Sequence, residues 1–243
     1  MRLAVTSDIH GNLLALQAVV ADLQALSVDA VVNLGDCASG PLWPGETVEM
    51  LRGLGWPTVR GNHDRTVGRS ADGSLGRSDS FAWSNLTRDQ RRWLAELPSS
   101  LSVAGALCVH GGIASDDDFL TDEICDGRLA PSAASAIESR LTGETAEIVL
   151  CGHSHLQGGY QTPTGKTVLN PGSVGWPAYR SASQRYVLES GSPHARYAVI
   201  EIEEAPPRME LRAVEYNWRA ASARALRNGR PDWSHWLITG TVV

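Results

Sequence analysis

The sequence Arg-Leu-Ala-Val-Thr-Ser-Asp-Ile-His-Gly-Asn, residues 2–12, sets the pattern on which the fold depends. A short apolar run over residues 2–6 ends in polar residues at Asp8 and His10. The following stretch, 12–26, repeats leucine and valine at helical spacing and predicts an amphipathic helix. A strand that ends in polar residues and leads into a helix is the first half of a βαβ unit.

The same pattern recurs along the first part of the chain. A second apolar run, 30–34, ends at Asp36, and a third, 57–60, ends at Gly61-Asn62-His63-Asp64. A helix is predicted over 45–54, so strands and helices alternate and favour parallel strands. Ligands of open α/β sheets bind outside the carboxyl ends of the strands. We therefore expect the polar clusters to converge.

Beyond residue 65 the pattern changes from alternating strands and helices to hairpins. The predicted elements are a loop over 66–80, a helix over 87–97, a hairpin over 101–110, a helix over 133–141, a strand over 148–151, a hairpin around 163–165, strands over 197–203 and 209–216, and a helix over 218–227. The sequence has no internal repeat and no clear linker. We expect one α/β domain, residues 1–243, built on two sheets.

Composition limits the environment and the partners. The chain has 243 residues, 42% of them hydrophobic and 20% charged, which is ordinary for a globular protein. Its formal net charge of −6 argues against a nucleic-acid partner, because phosphate contacts need a basic surface. No apolar run approaches the ~18 residues of a membrane span, and residues 1–7 are too short in apolar content for a signal peptide. We expect a cytoplasmic protein without a membrane partner; a homo-oligomer stays open.

Polar metal-ligand types concentrate at the predicted strand ends. Five of the seven histidines lie there with Asp8, Asp36, Asn62 and Asp64; they are His10, His63, His110, His153 and His155. Burying such groups side by side without partners costs ~1–3 kcal/mol each, and a metal removes that cost. Imidazole and carboxylate ligands suit Mn, Fe, Zn, Co or Ni. The donors are too many for one ion and about right for two.

These residues resemble the five motifs of the calcineurin-like metallophosphoesterases over about residues 1–175. The matching segments are Asp8-x-His10, Gly35-Asp36, Gly61-Asn62-His63-Asp64, Val109-His110-Gly111 and Gly152-His153-Ser154-His155. The segment 170–175 is similar to the small bacterial phosphodiesterase branch, which is related to diadenosine tetraphosphatases. The resemblance implies a two-sheet β-sandwich flanked by helices, four layers in the order αββα, which the C-terminal strands and helix complete.

The resemblance also implies a role for each motif residue. Two divalent cations are expected, with Mn favoured and Fe, Zn, Ni or Co as alternatives. The implied ligands are Asp8, His10, Asp36 and His155 for the first cation and Asp36, Asn62, His110 and His153 for the second. His63 is the implied general acid, with Asp64 orienting it. Two dications bring four positive charges, of which Asp8, Asp36 and a hydroxide cancel three, so an anionic phosphate is attracted.

Substrate contacts are less determined by the sequence. Asn12 caps the first helix or touches the phosphate, and Arg65 and Arg180 grip substrate oxygens or lie at the surface. Relatives usually place an arginine directly after the proline that corresponds to Pro177, whereas here Arg180 comes three residues later. A serine- and glycine-containing stretch, 181–193, then appears as an insertion before the next strand.

The function predicted from these features is metal-dependent hydrolysis of phosphodiesters or small nucleotides by a hydroxide held between two metals. A phosphomonoesterase, including a Ser/Thr protein phosphatase, would use the same site. An alternative from another class is a non-catalytic binding scaffold of this fold; the presence of His63 argues against it.

Overall fold

Thirteen strands and eight helices form the part of the chain that the computed structural model describes, residues 1–181 and 185–242. The strands are β1 (Arg2–Thr6), β2 (Ala30–Asn33), β3 (Ser100–Val103), β4 (Ala106–Val109), β5 (Asp122–Cys125), β6 (Arg128–Pro131), β7 (Ile148–Leu150), β8 (Gln157–Gln161), β9 (Thr167–Pro171), β10 (Ala178–Ser181), β11 (Tyr186–Glu189), β12 (Ala195–Glu201) and β13 (Arg208–Val214). The helices are α1 (Leu13–Gln24), α2 (Pro44–Leu54), α3 (Asn62–Arg69), α4 (Arg77–Asn85), α5 (Arg88–Glu96), α6 (Ala134–Arg140), α7 (Trp218–Arg227) and α8 (Pro231–Thr239). Within these ranges no helix has the combined length and apolar character that a bilayer crossing requires.

The first sheet contains the pattern that opens the chain. Its strand order is β13-β12-β1-β2, with β1 and β2 parallel and β12 antiparallel to β1. The predicted strand over 57–60 is reduced to one parallel bridge between Asn33 and Thr58. The reason is length: the chain enters α3 at Asn62, only four residues after that bridge.

The second sheet, β3-β4-β7-β9-β8, packs against the first. The core that they share is buried and consists mainly of Leu3, Val5, Val32, Leu34, Val59, Ala198 and Ile200 from the first sheet side and Ala106, Cys108, Leu150 and Leu169 from the second. A separate core joins the first sheet to α1 and α2, and another joins the second sheet to α6. The predicted sandwich of two sheets between helices is therefore confirmed.

A third sheet was not predicted. β5, β6, β10 and β11 form it in the order β10-β11-β6-β5, and it packs on α7 and α8 around the fully buried Trp233. β11 lies inside the stretch 181–193 that the sequence analysis treats as an insertion, of which 182–184 lie outside the described residues. The strands of this sheet are four residues each, too short for a period-2 pattern to stand out.

The stretch 66–80, predicted as a loop, is helical at both ends. α3 extends through residue 69 and α4 begins at residue 77. Each helix buries few apolar side chains, such as Val67 and Ala82, so its periodicity is weak in the sequence. Gly68 allows the close approach of α3 to α5, since a Cβ atom there would lie 2.6 Å from the Ala95 nitrogen.

Candidate metal centre

The predicted donors gather where β1, β2, β4 and β7 end. Asp8 follows β1, Asp36 follows β2 and His110 directly follows β4. Backbone hydrogen bonds join these connections: the Asp8 nitrogen donates to the Gly35 oxygen at 3.0 Å, and the Gly152 nitrogen donates to the His110 oxygen at 2.7 Å. The strand ends of two different sheets therefore form one site, as the alternation of strands and helices predicts.

The backbone of the site is held in an uncommon conformation. In the described ranges, eight non-glycine residues have positive φ, and five of them are predicted donors: Asp8, His10, Asp36, His153 and His155. Left-handed backbone costs a non-glycine residue about 1–3 kcal/mol and persists only where the surroundings impose it. Its concentration here indicates that the connections are shaped to aim side chains.

One group of donors consists of Asp8, His10 and His155. One ligand atom from each lies within 4.8 Å of the other two. Each imidazole donates through Nδ1 to a carbonyl oxygen, His10 to Ser39 at 2.8 Å and His155 to Trp176 at 2.9 Å. A neutral ring anchored in this way presents a lone pair on Nε2, and the two Nε2 atoms are only 3.2 Å apart.

That arrangement fits a cation. Two facing lone pairs repel each other unless a proton or a metal lies between them. Burial, with His155 adding to its effect, lowers the pKa of His10 to about 3, so a proton is disfavoured on that ring. The Asp8 Oδ1 atom is also buried and accepts no hydrogen bond, although His155 Nε2 lies 3.2 Å away. A metal ion would satisfy all three atoms.

The second group consists of Asp36, His110 and His153, with ligand atoms again within 4.8 Å of one another. His110 donates from Nδ1 to the Leu34 oxygen at 2.8 Å, and its Nε2 lies 3.0 Å from Asn62 Oδ1. His153 donates from Nε2 to the Asp117 oxygen at 3.1 Å, which leaves the lone pair on Nδ1.

Asp36 belongs to the second group and also approaches the first. Its Oδ2 atom is 3.4 Å from His110 Nε2 and 3.8 Å from His10 Nε2. Burial alone would raise the pKa of Asp36, but His110 and His63 outweigh burial and hold it well below its usual range. The opposite holds for His110. Burial lowers its pKa, but the opposing effect of the nearby Asp36 carboxylate raises the pKa to about 9. A bound cation would displace the proton of His110, since imidazole binds metals only when neutral.

His63 lies next to both groups without belonging to either. Its side chain is 28% exposed, and its ring is 5.5 Å from that of His10. Its Nδ1 atom donates to Asp79 Oδ1 at 2.7 Å. Burial lowers the pKa of His63, but Asp36 and Asp79 more than offset it and raise the pKa to about 10. This imidazolium can donate a proton from Nε2.

The partner of His63 differs from the expected one. Asp64 does not orient it, because the Asp64 carboxylate accepts hydrogen bonds from the backbone nitrogens of Cys37, at 2.9 Å, and Gly61, at 3.1 Å. Asp64 thus caps α3. Asp79 takes the orienting position and is itself fixed by Ser39 Oγ at 2.6 Å. Asp79 lies in the stretch 66–80, which was predicted as a loop, so the sequence did not indicate this role.

Three further residues were expected near the substrate. Asn12 caps α1 by accepting from the Ala15 nitrogen at 3.3 Å, and it is fully buried. Arg65 does not reach toward the donors; it forms a bidentate ion pair with Asp116 and a second with Asp117. Arg180 lines a cavity of about 300 Å³ together with Asp36, Asn62, His63, His153 and His155.

Two residues that the sequence analysis did not assign support the strand ends. Asn170 donates to the Gly152 oxygen at 3.0 Å and to Ser154 Oγ at 2.9 Å, which fixes the connection between the last two histidines of the site. Ser173 Oγ donates to the Asp8 oxygen at 2.8 Å. The resemblance of segment 170–175 was the signal for both, but it did not indicate which groups they bind.

Known proteins are similar to this chain in sequence and fold. A family model described as the calcineurin-like phosphoesterase superfamily domain matches residues 1–203. An uncharacterized protein of Methanocaldococcus jannaschii is 27% identical over 250 residues, which cover 95% of this chain and 94% of that protein. A metallophosphoesterase from Sphaerobacter thermophilus superposes with a TM-score of 0.76 at 24% identity, covering 99% of both chains. A hypothetical protein from Pyrococcus horikoshii gives 0.78 at 21% identity, covering 98% of both.

Proposed function

Because the chain belongs to the calcineurin-like phosphoesterase superfamily, we propose that it is a metal-dependent hydrolase of phosphodiesters or small nucleotide-type phosphate esters. The observation that carries this proposal is the pair of adjacent donor groups, in which Asp36 of the second group also lies near His10 of the first. The Nε2 atoms of His10 and His155, 3.2 Å apart, together with the unpartnered Oδ1 atom of Asp8 support a cation between them, because one shared proton cannot satisfy all three atoms.

The donors divide between two cations. The residues that would hold the first are Asp8, His10, Asp36 and His155, and those that would hold the second are Asp36, Asn62, His110 and His153. When bound, two divalent cations supply positive charge for the phosphate and lower the pKa of water so that it can attack. Mn²⁺ is the favoured ion, since nitrogen and oxygen donors are mixed here without thiolate.

The chain itself supplies the proton for the leaving group. Hydrolysis forms a bond from a water oxygen to phosphorus and breaks the bond from phosphorus to the ester oxygen, which needs a proton. His63 faces the cavity and is charged, so it donates that proton from Nε2. Asp79 accepts the hydrogen bond from Nδ1, so Nε2 is the nitrogen that remains to protonate the leaving oxygen.

The size of the cavity favours a small substrate over a folded protein. A cavity of about 300 Å³ is at the lower end of small-molecule sites. This size weakens the protein phosphatase alternative, while a small phosphomonoester stays the nearest rival. Turnover of p-nitrophenyl phosphate compared with its bis ester, in Mn²⁺, Ni²⁺ or Mg²⁺, distinguishes the two.

The test of the proposal combines elemental analysis with turnover. We expect two cations per chain and hydrolysis of a phosphate ester in the Mn²⁺-loaded protein. His63→Ala should keep both cations and lose about 100-fold or more in kcat on an alkyl ester. His235→Ala, which removes a histidine from α8 outside the site, is the matched control.

Two results would contradict the proposal. A loaded protein that turns over no phosphate ester would support the scaffold alternative. An unchanged rate of His63→Ala on an alkyl ester would remove the acid role while leaving the metal centre in place.

A further inference from the structure

The cavity beside the donor groups has one wall that the proposed chemistry does not use. Besides the donors and His63, four aromatic side chains line this cavity: Phe119, Trp176, Tyr179 and Tyr186. Because His63 would protonate the leaving oxygen, a group that enters this cavity is on the leaving side of the ester. The aromatic wall is therefore placed to contact the leaving group.

The rings are packed against the donor imidazoles. Phe119 stacks on His153 with centroids 4.9 Å apart and an interplanar angle of 25°. Tyr179 meets His155 edge to face at 5.1 Å and 71°. The wall therefore begins at van der Waals distance from both donor groups, with no intervening layer of side chains.

The rings are also held by one another. Tyr186 is perpendicular to Phe119 at 5.8 Å and 87°, and it meets Tyr179 at 5.9 Å and 74°. Tyr179 packs on Trp176 at 5.0 Å, and Trp176 stacks on Trp233 at 4.4 Å and 15°. Fixed rings lose little conformational entropy when a ligand binds, so their stacking contributes fully to affinity.

Two of these rings come from the third sheet. Tyr179 lies on β10 and Tyr186 on β11, and both are nearly buried, with 8% and 6% exposure. β11 belongs to the stretch that departs from the family pattern after Pro177. This stretch thus supplies aromatic side chains to the cavity.

From these contacts we propose that the protein selects phosphate esters whose leaving group carries a planar ring, and that Phe119, Tyr179 and Tyr186 determine this selectivity. The shared chemistry is a flat π-system near a phosphate, which nucleotides and aryl phosphates both provide. The inference rests on the proposed function for the position of the phosphate, since the paired donors define where it binds.

The test measures binding affinity, because turnover rates would also depend on the reactivity of the leaving group. Two ligand pairs differ by a ring: phenylphosphonate against methylphosphonate, and adenosine 5′-monophosphate against ribose 5-phosphate. In calorimetry with the Mn²⁺-loaded full chain, we expect the member with the ring to bind about 3- to 10-fold more tightly in at least one pair. The larger ratio identifies the source of the ring, nucleotide or aryl.

Variants of the aromatic wall test whether its side chains cause the preference for a ring. Phe119→Leu and Tyr186→Leu should each lower the ratio to about 2 or less, with cation content checked by elemental analysis. Tyr160→Leu, the same change on β8 outside the cavity, should leave the ratio unchanged. Two separate variants are used because Phe119 touches a donor imidazole; if its replacement disturbs the cations, Tyr186→Leu decides.

The outcomes for the inference and for the proposed function are distinct. Turnover of bis(p-nitrophenyl) phosphate with no ring preference in either pair would overturn the inference and keep the hydrolase. A ring preference that both leucine variants retain would also overturn it. A ring preference that the variants remove, in a protein without turnover, would support the inference and contradict the hydrolase.

Discussion

At the scale of single residues, the site depends on the atom that each side chain uses to anchor itself. His10, His110 and His155 all donate from Nδ1 to a backbone carbonyl oxygen, which fixes the tautomer and turns Nε2 toward the cluster. His153 is anchored through Nε2 instead. Such outer hydrogen bonds orient metal ligands and increase their basicity.

Asp79 has the corresponding anchoring function for His63. Asp79→Asn should lower kcat on an alkyl ester about 10- to 100-fold but change turnover of a p-nitrophenyl ester much less, because a good leaving group needs little protonation. Cation content should not change, as Asp79 is not among the donors. Asp72→Asn, at an exposed position in the preceding connection, is the control. Equal losses on both esters would mean that Asp79 is only structural.

Asn12 makes more contacts than a helix cap requires. Besides capping α1, its Nδ2 atom donates to the Gly175 oxygen at 3.0 Å and to the Tyr216 hydroxyl at 3.1 Å. Asn217 caps α7 in the same way but at the surface. Asn217→Ala should cost about 1 kcal/mol of unfolding free energy, and Asn12→Ala about 2–4 kcal/mol, because buried groups lose their donor. Denaturant unfolding measures both; equal costs would contradict this account.

At the scale of elements, the site requires connections that approach one another without side chains between them. Gly61, the last residue before α3, packs on the connection after β2. A Cβ atom there would lie 2.0 Å from Asp36 Oδ1 and 2.4 Å from the Asp36 nitrogen. The glycine of this motif is therefore needed because the shared carboxylate occupies the space.

A pair of glycine substitutions tests this close approach. Gly61→Ala should destabilise the fold by about 1–3 kcal/mol and weaken cation binding, since Asp36 has to move. Gly53→Ala in α2, where no atom lies within 4 Å of the new Cβ, should stabilise by about 0.5–1 kcal/mol. Thermal unfolding with and without Mn²⁺ measures both effects. Similar stabilities of the two variants would contradict the packing argument.

At the scale of the whole molecule, the donors connect parts of the chain that are far apart in sequence. Asp8 and His10 follow the first sheet, whereas His110, His153 and His155 follow strands of the second. A cation bound to Asp36 and His110 therefore links the two sheets of the sandwich. Because unfolding separates these donors, the cations bind only to the folded state.

Cations should accordingly stabilise the fold. At a concentration 100 times the Kd, a ligand of the folded state adds about 2.7 kcal/mol, which for a chain of this size corresponds to a rise in Tm of roughly 5–10 °C. His155→Ala should lose most of the rise with Mn²⁺, and His235→Ala should keep it. Differential scanning fluorimetry after chelation provides the baseline. An equal rise in the two variants would place the cations elsewhere.

From the sequence alone we could predict a domain with two sheets and the candidate donors at the strand ends. Strand-end clusters with glycines are local signals, because a short apolar run followed by a polar turn can be recognised without knowing what packs on it. The resemblance of five ordered motifs added the division of the donors between two metals. The helix cap at Asn12 was an equally local signal.

Only the tertiary structure decided three features: the partner of His63, the ion pair of Arg65 with Asp116, and the aromatic wall. Asp79 is 16 residues from His63, and Asp116 is 51 residues from Arg65. Tyr179 and Tyr186 lie on strands too short to show a pattern, in a sheet stabilised by packing on α7 and α8. Each of these features arises from contacts between distant segments, and no local propensity specifies which distant segment a side chain meets.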